Sequence, residues 1–144
     1  MPGSAEPTPA AADGSAEIIR AAGVTRRFGS LTAVSDVSFN VSAGDIVGLA
    51  GSDGAGKTTL LRMLATMLAP SSGTIRVGGL DAVRERSGVK EMIGYMPQRF
   101  GLYPDLTVAE NLDFFMDIYG IAGEKRRRRR ERYLGFSNLL PFVD

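Results

Sequence analysis

The sequence predicts an α/β fold, and three observations carry that expectation. Short β-branched or alternating runs are interspersed with segments of helical spacing. A glycine-rich loop sits between an apolar run and an amphipathic stretch. The chain has 144 residues and is 44% hydrophobic, enough to build a core for one small domain or for part of a larger one.

The elements follow in order. The first seventeen residues, "MPGSAEPTPAAADGSAE", carry no Lys, no Arg and no apolar block. They do not read as a secretory signal, and their composition predicts a disordered lead-in over 1–17. "EIIRAAGVTRRF" (Glu17 to Phe28) opens with β-branched residues and predicts a first strand. "AVSDVSFNV" (Ala33 to Val41) alternates apolar and polar, with one slip of register between Val34 and Val37, and predicts a half-buried strand. "SAGD" is a turn. "IVGLA" (Ile46 to Ala50) has the apolar continuity of a strand buried on both faces.

Apolar residues at 60, 61, 64, 67 and 68 predict a helix over 57–68, broken by "APSSG". "TIRVGG" (Thr74 to Gly79) predicts a strand ending in a turn, and 80–92 a short polar helix. "MIGYMPQ" (Met92 to Gln98) predicts another strand running into a loop. Thr107 with Glu110 forms the pattern of a capping box. Val108, Leu112, Phe115, Met116 and Tyr119 then share one helical face, and Gly120 is a C-terminal stop. An arginine-rich helix is expected from about Gly123 to Leu134. No internal repeat is visible.

Composition narrows the chemistry. There is no cysteine, which excludes disulfides and thiolate metal sites, and no histidine, which excludes a His general base and argues against zinc. The net charge of +1 favours no polyanionic partner. No apolar run reaches the roughly 18 residues that span a bilayer, so the default expectation is a soluble, intracellular chain.

Gly51-Ser52-Asp53-Gly54-Ala55-Gly56-Lys57-Thr58 fits G-x-x-x-x-G-K-[ST] at every fixed position. A triphosphate is a dense anion that needs several backbone N–H groups aimed at it. Glycines at 51, 54 and 56 let the backbone curl and approach closely. Lys57 would bring its ammonium to the β- and γ-phosphates, and Thr58 its hydroxyl to Mg²⁺. The helix that starts at Lys57 adds the positive end of its dipole. Gly51, Ser52, Asp53, Gly54, Ala55, Gly56, Lys57, Thr58 and Thr59 are therefore candidate ATP-binding residues. The plainer alternative is a glycine-rich turn that binds nothing.

Around this loop the sequence resembles the nucleotide-binding domain of ATP-binding-cassette (ABC) transporters. "VTRRFG" places Phe28 where the family has an adenine-stacking aromatic, usually Tyr. "VSFNVSAGDIVGLAGSDGAGKTTLLRML" resembles the family's strand-loop-helix block, and "LAPSSGTIRVGG" its Pro-x-Ser-Gly turn and following strand. "IGYMPQ" resembles the loop whose glutamine, here Gln98, touches Mg²⁺ and the attacking water. "LYPDLTVAENLDFF" resembles the start of the helical subdomain facing the membrane subunit. "GYMPQRFGLYPDLTVAENL" with "SDGAGKTTL" is most similar to bacterial multidrug-export subunits. The plainer alternatives are that Phe28 is a core aromatic and Gln98 an ordinary loop amide.

The resemblance implies a P-loop NTPase core of the ABC ATPase type, truncated to its N-terminal half. Antiparallel strands stand at its N-terminus, and the start of the helical subdomain occupies about 100–144 of a partial domain over 18–144. It implies ATP and Mg²⁺ as cofactors, with Lys57 and Gln98 in catalytic roles and Thr58 and Gln98 on the metal. It also implies a transmembrane permease subunit, a second nucleotide-binding domain, and a cytoplasmic position peripheral to the inner face of the membrane. Ser52 and Asp53 depart from the family's usual Pro and Asn. Asp53 sets a carboxylate near phosphates, which costs affinity unless a cation compensates.

The family's late apolar strand ending in Asp-Glu, its Leu-Ser-Gly-Gly segment and its switch histidine do not occur in these 144 residues. "FFMD" (Phe114 to Asp117) lies on a helical face. Pro141 argues against a central strand in "LLPFVD" (Leu139 to Asp144). The expectation is a chain that binds ATP–Mg²⁺ weakly and hydrolyses it negligibly, with a sheet edge open to aggregation. The alternative is a P-loop NTPase or switch unconnected to membranes, although no Asn-Lys-x-Asp guanine signature is present.

"EKRRRRRER" (Glu124 to Arg132) holds one Lys and six Arg. It reads as a solvated helix face with some Arg stems packed down, or as a surface for anionic headgroups or a membrane subunit. Nucleic acid is not expected as a partner, since the run lacks interleaved aromatics and the rest of the chain is near neutral.

Overall fold

The computed structural model describes residues 16–98 and 101–143. They form two compact units, one ending at Tyr95 and the other beginning at Met96. The lead-in expected over 1–17 lies outside the described residues except for Ala16 and Glu17.

The first unit is built on an antiparallel sheet of four strands in the order β2-β1-β3-β4. β1 (Glu17–Phe28) and β2 (Leu31–Ser42) form the long hairpin expected from their β-branched content. The slip of register in β2 is a bulge. Val24 pairs with Val37 but Arg26 with Val34, which leaves one extra residue in β2. Asp36 sits there at φ 50°, and its N–H donates to the Thr25 hydroxyl at 2.9 Å. The distorted backbone is thus satisfied by a side chain.

β3 (Ser72–Val77) pairs antiparallel with β1 and turns through Gly78-Gly79 into the short β4 (Leu80–Asp81). The Asp81 carboxylate accepts from the N–H groups of Val83 and Arg84, which hold its pKa below the ordinary carboxylate value and shape the turn before α2 (Arg86–Met92). One core unites sheet and helices. Ala21, Val24, Val34, Ile75 and Val77 meet Leu60 and Met63 of α1 (Lys57–Leu64) and Val89 of α2.

Three expectations for this unit need correction. Ile46–Ala50 forms no strand, and Ile46 is fully exposed and Val47 59% exposed. Ile93–Pro97 forms none either, and Met96 is 92% exposed. A strand needs at least one ladder partner, and neither run has one among the described residues. The helix expected to reach Leu68 stops at Leu64. Thr66 takes a left-handed φ of 61°, with Thr66 N–H donating to Met63 O and Met67 N–H to Arg62 O. This is a Schellman end with threonine in the position glycine usually holds. The Thr66 hydroxyl is buried without a hydrogen-bond partner among the described residues.

The second unit holds α3 (Val108–Ile118), α4 (Gly123–Phe136) and a 3₁₀ turn, Leu140–Phe142. The capping box is present. Thr107 Oγ1 accepts from Glu110 N–H at 3.2 Å, and Glu110 Oε2 accepts from Thr107 N–H at 2.8 Å. A third donor of the first turn, Ala109 N–H, reaches the Val143 carbonyl at 3.2 Å. α3 ends in a Schellman motif with Gly120 at φ 61°. Of the face expected to be apolar, Met116 is buried and Val108, Leu112 and Phe115 are half-buried. Tyr119 is 76% exposed, because it caps the helix and leaves the packed face.

Asn111, silent in the sequence, is buried. It accepts from Tyr103 N–H and donates to the carbonyls of Tyr103, Leu106 and Thr107, holding the loop before α3. α4 is fastened by Arg126, which bonds Asp113 and Asp117 on α3, with Arg130 adding a longer contact to Asp113. Bonds to Asp117 and then Asp113 hold the Arg126 pKa above its ordinary value.

Two outcomes follow from this packing. Ile75→Ala, at a position 1% exposed, should cost about 2–5 kcal/mol in urea unfolding. Ile46→Ala should cost no more than about 0.5 kcal/mol, and an equal cost at both sites would contradict the exposed placement of Ile46. The Glu110 carboxyl is held below its ordinary pKa by the Thr107 N–H and then its hydroxyl. Its contribution is therefore complete above the ordinary glutamate value and is lost as pH falls through the lower, folded value. Helicity of α3 followed by amide exchange should weaken in that acid range, and Glu110→Gln should remove the dependence.

Candidate phosphate-binding site

The glycine-rich loop leaves β2 through the Ser42–Asp45 turn, in which Asp45 N–H donates to Ser42 O and Asp45 Oδ2 accepts from Ser42 N–H. Its far end is seated by Gly56. That residue has φ 87°, and a Cβ there would lie 2.1 Å from the Ala33 carbonyl oxygen of β2. Only a residue without a side chain lets the loop pass so close to the strand. Gly56 is also the N-cap of α1, and no side chain caps the helix.

The first turn of α1 contains no acidic residue. The amides of Gly54, Gly56, Lys57, Thr58 and Thr59 donate to no acceptor among the described residues. Unsatisfied N–H groups at a helix start carry the positive end of its dipole and suit an anion. Lys57 curls back over the loop, and its ammonium donates to the carbonyls of Gly51 and Ser52, both at 2.7 Å. Two of its three protons are engaged there, leaving one for an incoming anion. Ser52, Asp53, Gly54 and Ala55 are exposed, and Ala55 N–H closes a turn on Ser52 O at 3.2 Å. The Thr58 side chain is on the exposed side of the helix start. It offers one oxygen, which suits a Mg²⁺ ion that takes its other ligands from phosphate and water.

Phe28 ends β1 and pairs with Leu31, two residues along β2 from the Ala33 carbonyl that backs Gly56. The hairpin therefore places Phe28 and the loop's seat at the same end of the sheet, roughly 7 Å apart along the strand. The ring is 45% exposed. The Arg26 guanidinium lies 4.5 Å from its centroid and is itself held by a 2.8 Å bond to the Ala69 carbonyl. One face of the ring is thus covered and its orientation fixed. Sequence reasoning did not find Arg26, since its stacking depends on the Ala69 turn meeting β1. Gln98 belongs to the second unit, in the exposed segment after Pro97.

The family model described as "ABC transporter" matches residues 34–142. This chain belongs to the ABC transporter family. It is 44% identical over 128 residues to the "Probable multidrug ABC transporter ATP-binding protein YbhF" of Escherichia coli (strain K12), a match covering 88% of this chain and 22% of that protein. It is also 44% identical over 100 residues to the "ABC transporter ATP-binding protein NatA" of Bacillus subtilis (strain 168), covering 69% of this chain and 41% of NatA. This ABC chain thus spans less than half the length of each. A solved ATP-binding subunit of an ABC transporter superposes with a TM-score of 0.73 at 25% identity, over 88% of this chain and 52% of its own. A dimeric ATP-binding cassette bound to ADP and Pi has a TM-score of 0.72 at 24% identity, over 88% and 60%. The fold is therefore the α/β ABC ATPase type in part, with its antiparallel sheet at the N-terminal end and helices after it.

Gly56→Ala should destabilise the chain by more than the roughly 1–2 kcal/mol that a left-handed alanine costs, because the added carbon meets a carbonyl. Gly54 has φ 80° but open space around it, so Gly54→Ala should show only that conformational cost. Urea unfolding of the two variants side by side measures the difference, and equal losses would remove the Ala33 contact as the cause.

Proposed function

We propose that this chain is the ATP-binding part of an export-type ABC transporter subunit, which couples ATP binding and hydrolysis to movement of a substrate across the membrane. The observation that carries the reading is the set of unengaged amides from Gly54 to Thr59 at an uncapped helix start, with the Lys57 ammonium beside them. Gly51, Ser52, Asp53, Gly54, Ala55, Gly56, Lys57, Thr58 and Thr59 would cradle the phosphates, and the free face of Phe28 would stack on adenine. Thr58 would hold Mg²⁺, which when bound would supply charge neutralisation at the phosphates. The likeness to a multidrug ABC transporter protein and to a Nod factor export protein supports the export assignment.

Working partners would be a transmembrane permease subunit and a second nucleotide-binding domain, in keeping with the dimeric cassettes that share the fold. No helix among the described residues is long and apolar enough to cross a membrane, which suits a subunit peripheral to the cytoplasmic face. The helical start over about 100–144 would be the part that meets the permease. These 144 residues on their own would bind ATP–Mg²⁺ and turn it over negligibly. Phosphoryl transfer to water needs a second acid on the metal and a group to position the water, and no cluster of acids among the described residues is arranged to hold a metal.

Calorimetry with millimolar ATP and Mg²⁺ should detect binding to the folded chain. Lys57→Ala should weaken it about 10- to 100-fold, the range for losing a hydrogen bond to a charged group. A folded wild-type chain that gives no heat overturns the nucleotide reading. Steady phosphate release that Lys57→Ala abolishes overturns the inactivity of the isolated chain.

A further inference from the structure

α4 divides its basic residues between two jobs. Arg126 and Arg130 turn inward onto Asp113 and Asp117. Lys125, Arg128, Arg129 and Arg132 follow at i, i+3, i+4 and i+7, and Phe136 at i+11. At 100° per residue they occupy an arc of roughly 100° on one side of the helix. Lys125, Arg128 and Arg132 are exposed, Arg129 is half-exposed, and Phe136 is 91% exposed. The two acids of the helix, Glu124 and Glu131, lie together along its flank, outside that arc. Glu124 takes Arg127 and Arg128 as partners. Lys125, Arg129 and Arg132 have no ion-pair partner among the described residues.

We infer that this stripe is a docking surface for an anionic phospholipid bilayer, with the helix lying along the headgroups. The charge is complementary and one-sided, since the acids are kept to the flank. The stripe runs out into an exposed phenyl ring, and the chain continues with Leu140 and Phe142, which are 61% and 66% exposed. A one-sided row of exposed cations is drawn to the negative surface of an anionic bilayer, and the phenyl ring at the end of the row can sit at the headgroup boundary beside them. A nucleic-acid duplex would use the cations but would leave the terminal apolar groups in water. The inference does not rest on nucleotide binding.

Flotation of the full chain with vesicles tests it. Binding is expected to phosphatidylglycerol-containing vesicles, to fall with added salt, and to be absent from pure phosphatidylcholine. Each stripe cation removed should weaken binding about fivefold, so R128Q/R132Q should lose about 25-fold. R127Q, which removes the same charge from off the stripe, should lose less than either stripe substitution made singly. Phe136→Ser should weaken binding without changing its salt dependence. Circular dichroism of each variant should match wild type, because the substituted side chains are exposed. Lys57→Ala should leave vesicle binding unchanged, which separates failure here from failure of the nucleotide site. Equal binding to neutral vesicles, an R128Q/R132Q variant that binds as wild type, or binding to duplex DNA or RNA in place of vesicles would overturn the inference.

Discussion

The close approach of Gly56 to the Ala33 carbonyl is the constraint from which the rest of the first unit is organised. It fixes where α1 begins, and therefore which way its dipole and first free amides point. It also ties the loop to the β1–β2 hairpin, so that the strand end carrying Phe28 and the helix start carrying Thr58 share one support. Met63 and Leu60 then enter the core against Ile75 and Val24. Burial of those side chains keeps α1 in place, since eight residues do not sustain a helix alone.

Electrostatics does different work in the two units. In the first, charge is left available: the ammonium of Lys57 rests on carbonyls, which it can share with an anion without breaking an ion pair. In the second, Arg126 is consumed in structure, bridging two carboxylates on the neighbouring helix. A run of six arginines and one lysine is thus not one feature. Its inward members act as fasteners whose stems and heads are both used, while the outward members face solvent. Exposed pairs such as Arg127–Glu124 add little to stability.

Much of this was legible because it is local. The phosphate loop, the capping box at Thr107, the glycine end at Gly120 and the slipped register near Asp36 are each written within a few residues. The long hairpin follows from β-branched content. What was not legible depends on segments distant in sequence. Ile46–Ala50 and Ile93–Pro97 have strand composition, but a ladder is a property of two segments, and no partner lies beside them among the described residues. The early end of α1 was hidden because the left-handed position is filled by Thr66 and not by glycine. Asn111 carries no signal in the sequence; its role appears only once the loop from Tyr103 to Thr107 folds over it. The left-handed backbone at Gly54 and Gly56 was foreshadowed by the residue type, whereas the seat of Gly56 on Ala33 and the guanidinium over Phe28 required distant segments to meet.

The bond from Ala109 N–H to the Val143 carbonyl joins the opening turn of α3 to a residue more than thirty positions later. Opening of the segment around Val143 consequently strips one amide of that helix start of its acceptor, while the capping box at Thr107 stays in place. The amide of Ala109 is a built-in reporter: its protection against solvent deuterium registers whether the Val143 carbonyl is in place, although that segment contributes only a single acceptor.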